Sequence, residues 1–318
     1  MKNIKIDLNN ILVTIYSNSD RVLDYISRYL FKIIVHTDEE SFQFQKKIEV
    51  YLINNKFKIE HEFPDKIKIH GKNYTGFNDN VISILSNGDS FFNFNIENKY
   101  IFFDQFSNIN YHILDIIIKS FISTIIKDKE YCILHASAIK YKNRNILFCG
   151  PGESGKTSML LSMLQDKDCF FLSNNLVAVD SELNCFGFPL QVSVKEGTCN
   201  EITNLKNIFS SYNHNKEKLL DIANFYNKKK VVWNKPFKLD EIYLLNWNLE
   251  KLDETKVNDF NLDFNFTKKY FKINNYIYYG YNIEQQSNFF KKYLKNNAKI
   301  VTGKFDISRL SNDIRSIN

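Results

Sequence analysis

The chain has 318 residues, of which 44% are hydrophobic and 15% aromatic, so it can bury the core of one large domain or of two ordinary ones. This composition excludes a protein that is mainly disordered. The formal net charge of +6 comes from lysines spread along the chain rather than gathered in a block, which is typical of a solvated basic surface and argues against nucleic-acid binding.

The N-terminus and the cysteines predict a cytoplasmic protein. The first residues lack the apolar run of a secretory signal. The most apolar helical stretch, 113–126, is too short to cross a bilayer and contains Asp115 and Lys119. Five cysteines form no C-x-x-C pair, so we expect reduced thiols and no zinc site.

Residues 1–127 are predicted to form a smaller α+β domain. Apolar residues at helical spacing after Ser19 and Asp20 predict a helix over 21–30, and a second one is expected over 109–127. No catalytic motif occurs here, so we expect this domain to recognise a substrate or a peptide. Alternating apolar and polar residues predict strands at 11–16, 57–63, 66–70, 91–96 and 100–103.

The pattern of apolar residues changes near residue 128, and residues 128–318 are predicted to form a second, α/β domain. Residues 145–149, which are all apolar after Asn145, predict a short strand that is buried on both faces. Asp306 is expected to cap a final helix that ends at Ile317. The other predicted elements are strands at 132–140, 170–172, 176–179, 241–247 and 300–301, helices at 157–164 and 284–294, and turns at 143–145 and 180–184.

The clearest motif follows the apolar strand directly. Residues 150–157 match the pattern G-x-x-x-x-G-K-[ST]. Glycines allow the backbone to bend so that successive N–H groups point inward at the start of a helix, where they bind phosphate. The predicted nucleotide-binding residues are Gly150, Pro151, Gly152, Glu153, Ser154, Gly155, Lys156, Thr157 and Ser158.

Within this loop, two side chains have defined chemistry. Lys156 is expected to contact the β- and γ-phosphates, and Thr157 to offer its hydroxyl to Mg²⁺. The sequence lacks the N-K-x-D pattern that a GTPase uses to read guanine. ATP with Mg²⁺ and a compact kinase are therefore the favoured interpretation.

The residues on either side of the loop resemble the HPr kinase/phosphorylase-like P-loop kinases, whose core is related to that of the PEP carboxykinases. The resemblance rests on the strand Leu134–Ile139 with its His-Ala pair, the strand Ile146–Cys149 before the loop, and the segment Phe171–Asp180. Residues 187–190 and 192–197 are similar to the next strands of the family. The resemblance covers about 128–200 well and the rest loosely.

The resemblance implies a mixed twisted sheet surrounded by helices, and ATP-dependent phosphorylation of a hydroxyl. It implies a peptide, protein or small-molecule acceptor, and it leaves open whether the chain is a homo-oligomer. The family's Asp-Asp pair, which organises Mg²⁺ and takes the acceptor's proton, is replaced by Asn174 and Asn175. An amide oxygen, for example that of Asn175, can ligate the metal but cannot act as a general base.

Other residues have two interpretations. His135 is either a core histidine or a proton relay near the phosphates, and together with Lys156 and the two asparagines it completes the predicted catalytic set. Asp180 is more typical of a hairpin turn than of a metal ligand. Glu153 is either solvent-exposed or a substitute base, and Lys195 is one of several cations that could contact transferred phosphate.

Two hypotheses follow from the sequence. The chain is an ATP-dependent kinase that acts on a hydroxyl, or it is a catalytically weak relative that binds nucleotide and acts as a binding or regulatory module. The pair Asn174 and Asn175 distinguishes them.

Overall fold

The protein is described by a computed structural model. It has a mixed α/β fold, and its strands belong to two compact units, β1–β8 in the first and β9–β21 in the second. The structure describes residues 2–8, 11–17, 19–29, 46–54, 66–70, 73–78, 81–86, 90–95, 100–103, 132–180, 182–188, 192–195, 198, 209–214, 217–220, 236–247, 256–259, 298–303 and 306–317.

The first unit contains an eight-stranded sheet and one described helix, α1 (Asp20–Tyr29). The helix buries Val22, Leu23 and Ile26, while Val13 and Ile15 are buried on the second strand. The strands are β1 (Lys2–Leu8), β2 (Ile11–Ser17), β3 (Lys46–Asn54), β4 (Lys66–His70), β5 (Asn73–Asn78), β6 (Val81–Ser86), β7 (Ser90–Asn95) and β8 (Tyr100–Phe103), in the order β1-β2-β3-β8-β7-β6-β5-β4.

The second unit holds two described helices, α2 (Lys156–Met163) and α3 (Ile307–Ser316). Its strands form three sheets of six, four and three strands. They are β9 (Cys132–Leu134), β10 (Ala136–Tyr141), β11 (Arg144–Cys149), β12 (Cys169–Ser173), β13 (Val177–Val179), β14 (Asn184–Gly187), β15 (Val192–Lys195), β16 (Phe209–His214), β17 (Glu217–Leu220), β18 (Phe237–Lys238), β19 (Glu241–Trp247), β20 (Lys256–Asp259) and β21 (Ala298–Gly303).

The six-stranded sheet is mixed, with the order β12-β10-β11-β19-β21-β20. Strands β11, β19 and β21 run parallel, whereas β10, β12 and β20 pair antiparallel with their neighbours. The sheet therefore has a parallel centre with antiparallel edges. On the side of the sheet where β11 and β19 finish, β10 begins and β12 finishes, so the ends of these four strands lie on the same side.

Strand β11 is buried on both faces, as its apolar sequence predicts. Ile146 and Phe148 pack into one cluster with α2 and α3, which includes Met159 and Ile314. Leu147 and Cys149 point to the other side, into a second cluster that includes residues of β9, β13 and β14. Because it is enclosed in this way, β11 delivers the following loop to a fixed position.

Two predicted elements differ from the structure. The strand predicted over 132–140 divides at His135, because β9 pairs with β13 of the four-stranded sheet while β10 pairs with β11 and β12. The turn predicted at 143–145 lies at Lys142 and Asn143, so that Arg144 already belongs to β11. The elements predicted at 57–63, 109–127 and 284–294 lie outside the described residues.

Within the described ranges, none of the helices is long and apolar enough to cross a membrane.

Candidate nucleotide-binding site

The loop predicted from the sequence connects β11 to α2. Gly155, the residue before the helix, has a φ of 81° in the left-handed region, which only glycine adopts without strain. Gly150 is required for a different reason, since a Cβ there would lie 2.4 Å from Ser154 Oγ and 2.9 Å from the carbonyl oxygen of Leu245.

Gly155 is the one described glycine with a positive φ, so the expectation that the loop's glycines make its bend is wrong at Gly150 and Gly152. At Gly152, no heavy atom of the described residues other than its chain neighbours lies within 4 Å of the position a Cβ would take. The second left-handed residue of the loop is Glu153, with a φ of 65°. The bend is completed by a residue that is not a glycine, beside open space.

Lys156 lies under the loop and is only 7% exposed. Its Nζ donates to the carbonyl oxygens of Gly150 at 2.9 Å and of Pro151 at 2.8 Å. Burial lowers the pKa of Lys156 from its ordinary 10.5 to about 8, since charge is costly away from water. A phosphate group would supply the negative charge that this ammonium lacks.

The two described helices of this unit, α2 and α3, begin differently. Helix α3 has a side-chain cap, because the carboxylate of Asp306 accepts from the backbone N–H of Arg309 at 2.8 Å. Helix α2 begins at Gly155 without a side-chain cap and has no acidic residue in its first turn. The first-turn N–H groups of a helix have no acceptor within it, so an anion at this end would satisfy them.

Strand β19 holds the loop from the neighbouring position in the sheet. The indole Nε1 of Trp247 donates to the carbonyl oxygen of Ser154 at 2.9 Å, and the carbonyl of Leu245 lies against Gly150. This contact joins residues 93 positions apart, so local spacing in the sequence does not reveal it. The one signal in the sequence is a tryptophan at the end of the strand predicted over 241–247.

Ser154 also carries an unusual hydroxyl. Its Oγ is buried and has no hydrogen-bond partner among the described residues. A buried polar atom of this kind is costly unless a ligand or water satisfies it. The loop thus combines a buried cation, an uncapped helix start and an unsatisfied hydroxyl, a donor set that fits a phosphate chain.

Three of the predicted catalytic residues lie at the sheet edge where the loop begins. His135 is half-buried and immediately precedes Ala136, which pairs with Cys149, the last residue before the loop. Asn174 and Asn175 follow β12, whose last residue pairs with Ala138 of β10. The topology therefore brings the histidine and both asparagines to the loop's edge of the sheet, and their catalytic roles stay predictions.

The two asparagines have different environments. Asn174 is completely buried, its Oδ1 accepts from the hydroxyl of Ser137 at 2.8 Å, and its Nδ2 has no partner in the described part of the chain. Asn175 is half-buried and has a φ of 67°, a conformation that Asn and Asp tolerate. Asn175 is thus the better placed of the two to present an oxygen to a ligand.

A charged pair lies on the exposed side of the loop. Lys195 Nζ contacts Glu153 Oε1 at 2.5 Å, and this hydrogen bond and charge lower the pKa of the Glu153 carboxyl. A carboxylate with a lowered pKa is a weaker base, which disfavours Glu153 as the substitute base. Nearby, the hydroxyls of Ser158 and Thr198 lie 3.1 Å apart.

Two further side chains, those of Asp180 and Arg315, have structural roles. Asp180 Oδ1 accepts from the backbone N–H groups of Glu182 and Asn184, and its Oδ2 from the side chain of Asn184, so it holds the hairpin as its context predicts. Arg315 donates to the carbonyl oxygen of Ser162 at 2.7 Å and pairs with Asp166.

The described side chains include no cluster of three His, Cys, Asp or Glu residues that could hold a metal by themselves. Mg²⁺ beside phosphate needs few protein ligands, because waters and phosphate oxygens complete its shell. Thr157, half-buried in the first turn of α2, and Asn175 offer oxygen atoms of the kind that Mg²⁺ accepts. The residues present fit such an ion.

Comparison with solved structures gives distant matches, one of which is to a kinase/phosphatase. The HPr(Ser) kinase/phosphatase from Coxiella burnetii is 11% identical, and the match covers 58% of this chain and 93% of that chain with a TM-score of 0.32. No protein family model matches the chain, and neither does any curated protein. A TM-score of this size establishes no shared activity, so the function must be inferred from the residues of this chain.

Proposed function

We propose that the chain binds ATP with Mg²⁺ at residues 150–158 and transfers the terminal phosphoryl group to a hydroxyl of a peptide, protein or small molecule. The observation that carries the proposal is Lys156, whose ammonium lies buried beneath an uncapped helix start. The resemblance of the flanking strands to HPr kinase-like proteins supports the same chemistry.

Each residue has a role in this proposal. The first-turn N–H groups of α2 and the Nζ of Lys156 neutralise the phosphates, and Thr157 and Asn175 would hold Mg²⁺. The metal would supply further charge neutralisation between the β- and γ-phosphates. Enzymes catalyse phosphoryl transfer mainly by positioning the reactants and stabilising charge. The loop between β11 and α2 provides both.

The transfer exchanges one bond for another. The acceptor's hydroxyl oxygen forms a bond to the γ-phosphorus, the bond from that phosphorus to the β–γ bridging oxygen breaks, and ADP leaves with the electron pair. The hydroxyl proton passes to a base or to water. His135 is our candidate for that proton, because an imidazole can accept it near neutral pH whereas the amides of Asn174 and Asn175 cannot.

A second function is favoured by one observation. Asn174 is buried and its oxygen already accepts a hydrogen bond from Ser137, so it offers no carboxylate that could act as a base. A site without a positioned base would bind Mg-ATP yet turn over slowly, and the chain would then act as a nucleotide-dependent binding or regulatory module.

Incubation with γ-labelled ATP, Mg²⁺ and candidate acceptors tests the proposal. Acceptors should include serine-containing peptides, small alcohols and the proteins encoded beside this one. We expect label on an acceptor hydroxyl and equal formation of ADP, both lost in Lys156→Ala. Bound ATP with no label transfer to any acceptor, and no ADP above the Lys156→Ala background, would favour the binding module.

A further inference from the structure

The exposed side of the phosphate loop carries an ion pair that a ligand can displace. Glu153, held at a φ of 65°, contacts the ammonium of Lys195 through its Oε1. The two side chains are 78% and 55% exposed. An ion pair so open to water contributes little to stability, so separating the two side chains costs little free energy.

The strand that carries Lys195 is fixed beside the loop. Val192 and Val194 of β15 are fully buried in the cluster that contains Met159 of α2. Just beyond the strand, Thr198 lies within hydrogen-bond distance of Ser158 in the first turn of that helix. The backbone at Lys195 is therefore anchored against α2 while its side chain remains in solvent.

A carboxylate on the exposed side of an anion-binding loop opposes the binding of an anion. A nucleoside triphosphate carries several negative charges, and Glu153 repels them. The ammonium of Lys195 is drawn more strongly to that polyanion than to a single carboxylate. Its long flexible stem allows it to change partner without movement of the strand.

We propose that Lys195 is a second phosphate-binding cation, stored on Glu153 in the free protein and transferred to the phosphates of the bound nucleotide. The inference rests on the proposed function, since it requires a triphosphate in the loop. Glu153 then competes with the ligand for the ammonium. Removal of Glu153 strengthens nucleotide binding, and removal of Lys195 weakens it.

A double-mutant cycle with Mg-ATP as the probe tests this exchange. Binding is measured by titration calorimetry at low and high salt for the wild type, Lys195→Met, Glu153→Gln and the double variant. Lys195→Met should weaken binding at least about tenfold in both backgrounds, as the loss of one charge-assisted hydrogen bond does. Glu153→Gln alone should tighten binding about two- to fivefold, an effect that salt diminishes.

Lys142→Met is the matched control, because Lys142 is an exposed lysine in the turn before β11, at the opposite end of that strand from the loop. It should leave Mg-ATP binding within about twofold of the wild type. All these side chains are exposed, so every variant should fold.

Three results would overturn the exchange. If Lys195→Met weakens binding only when Glu153 is present, the lysine merely screens the carboxylate. If Lys195→Met binds as the wild type does, the pair has no part in nucleotide binding, although the proposed function stands. If the wild type fails to bind Mg-ATP, the proposed function fails together with this inference.

Discussion

The indole N–H of Trp247, at the end of β19, donates a 2.9 Å hydrogen bond to the carbonyl oxygen of Ser154 in the middle of the phosphate loop. The two residues are 93 positions apart in the chain. The parallel pairing of β11 with β19 brings them together, because Cys149 lies opposite Leu244 and both strands finish at the same edge. The loop is thus shaped by its neighbouring strand as well as by its own glycines.

Loss of the indole N–H should loosen the loop. In Trp247→Phe an aromatic ring can still pack against the core cluster while the hydrogen bond disappears, so Mg-ATP binding should weaken about fivefold. Trp233→Phe leaves Trp247 as the chain's one tryptophan, which allows fluorescence to report on this position. A fall in the free energy of unfolding with an unchanged dissociation constant would reduce Trp247 to a structural role.

The glycines of the loop should respond unequally to alanine. Gly150→Ala drives a Cβ against Ser154 and Leu245, which should lower the free energy of unfolding by about 1–3 kcal/mol. Gly152→Ala places its Cβ in open space and should change that free energy by less than about 0.5 kcal/mol. Urea unfolding measures both, and equal losses would mean that the loop adopts a different conformation in solution.

A carboxylate at position 175 should accelerate turnover. Asn175→Asp keeps a residue that tolerates the left-handed backbone and adds both a base and a charged metal ligand. ATP hydrolysis or acceptor phosphorylation should rise by about 10²-fold or more, and Mg²⁺ should bind more tightly. Fast turnover by the wild type would show that another group, such as His135, already acts as the base.

The neighbouring substitution should be harmful instead. Asn174→Asp buries a carboxylate whose second oxygen has no donor in the described surroundings. We expect a loss of about 2 kcal/mol in the free energy of unfolding, and therefore no further gain in turnover from the double variant over Asn175→Asp. A stable Asn174→Asp with raised activity would contradict the buried position of this side chain.

Lys156 should make nucleotide binding depend on pH. Its pKa is lowered to about 8 by burial, and a bound triphosphate favours the protonated form, so binding takes up a proton above pH 8. Affinity for Mg-ATP should fall as pH rises through 8, by up to about tenfold per pH unit. Calorimetry in two buffers of different ionisation enthalpy measures the proton uptake, and an affinity that stays constant from pH 7 to 9.5 would contradict it.

The lowered pKa of Lys156 also makes the stability of the ligand-free protein depend on pH. Here the free energy of unfolding rises with pH, whereas the affinity for Mg-ATP falls. Because the folded pKa lies below the ordinary 10.5, the unfolded chain binds more protons between about pH 8 and 10.5, and the destabilising effect of burying a charged Lys156 therefore fades as pH rises through that window. In Lys156→Met this contribution should vanish. Urea unfolding of both proteins at pH 7.5 and 10 separates it from other titrations.

The elements predicted from the sequence are those marked by patterns among neighbouring residues. The apolar run of β11, the glycine-lysine loop and the helical spacing of α2 are contiguous, so the strand, loop and helix could be placed without any knowledge of pairing. Strand β1 was missed although Ile4, Ile6 and Leu8 alternate with polar residues. The extended run of β3 was likewise overlooked.

The remaining features of the site depend on contacts between distant parts of the chain. Ser137 meets Asn174 across 37 positions, and Glu153 meets Lys195 across 42. Such contacts are set by strand register and by which sheet a strand joins, for example the change of sheet at His135. Neither is encoded in local spacing, which is why the inequality of the two asparagines emerged only from the structure.

Thermal unfolding with and without Mg-ATP tests most directly whether residues 150–158 bind a triphosphate through Lys156. For the wild type, ligand at 100 times its dissociation constant should add about 2.7 kcal/mol to the free energy of unfolding and raise the melting temperature. In Lys156→Ala the ligand-dependent rise should disappear, whatever the variant's own melting temperature. A rise of equal size in Lys156→Ala would contradict the assignment of this loop.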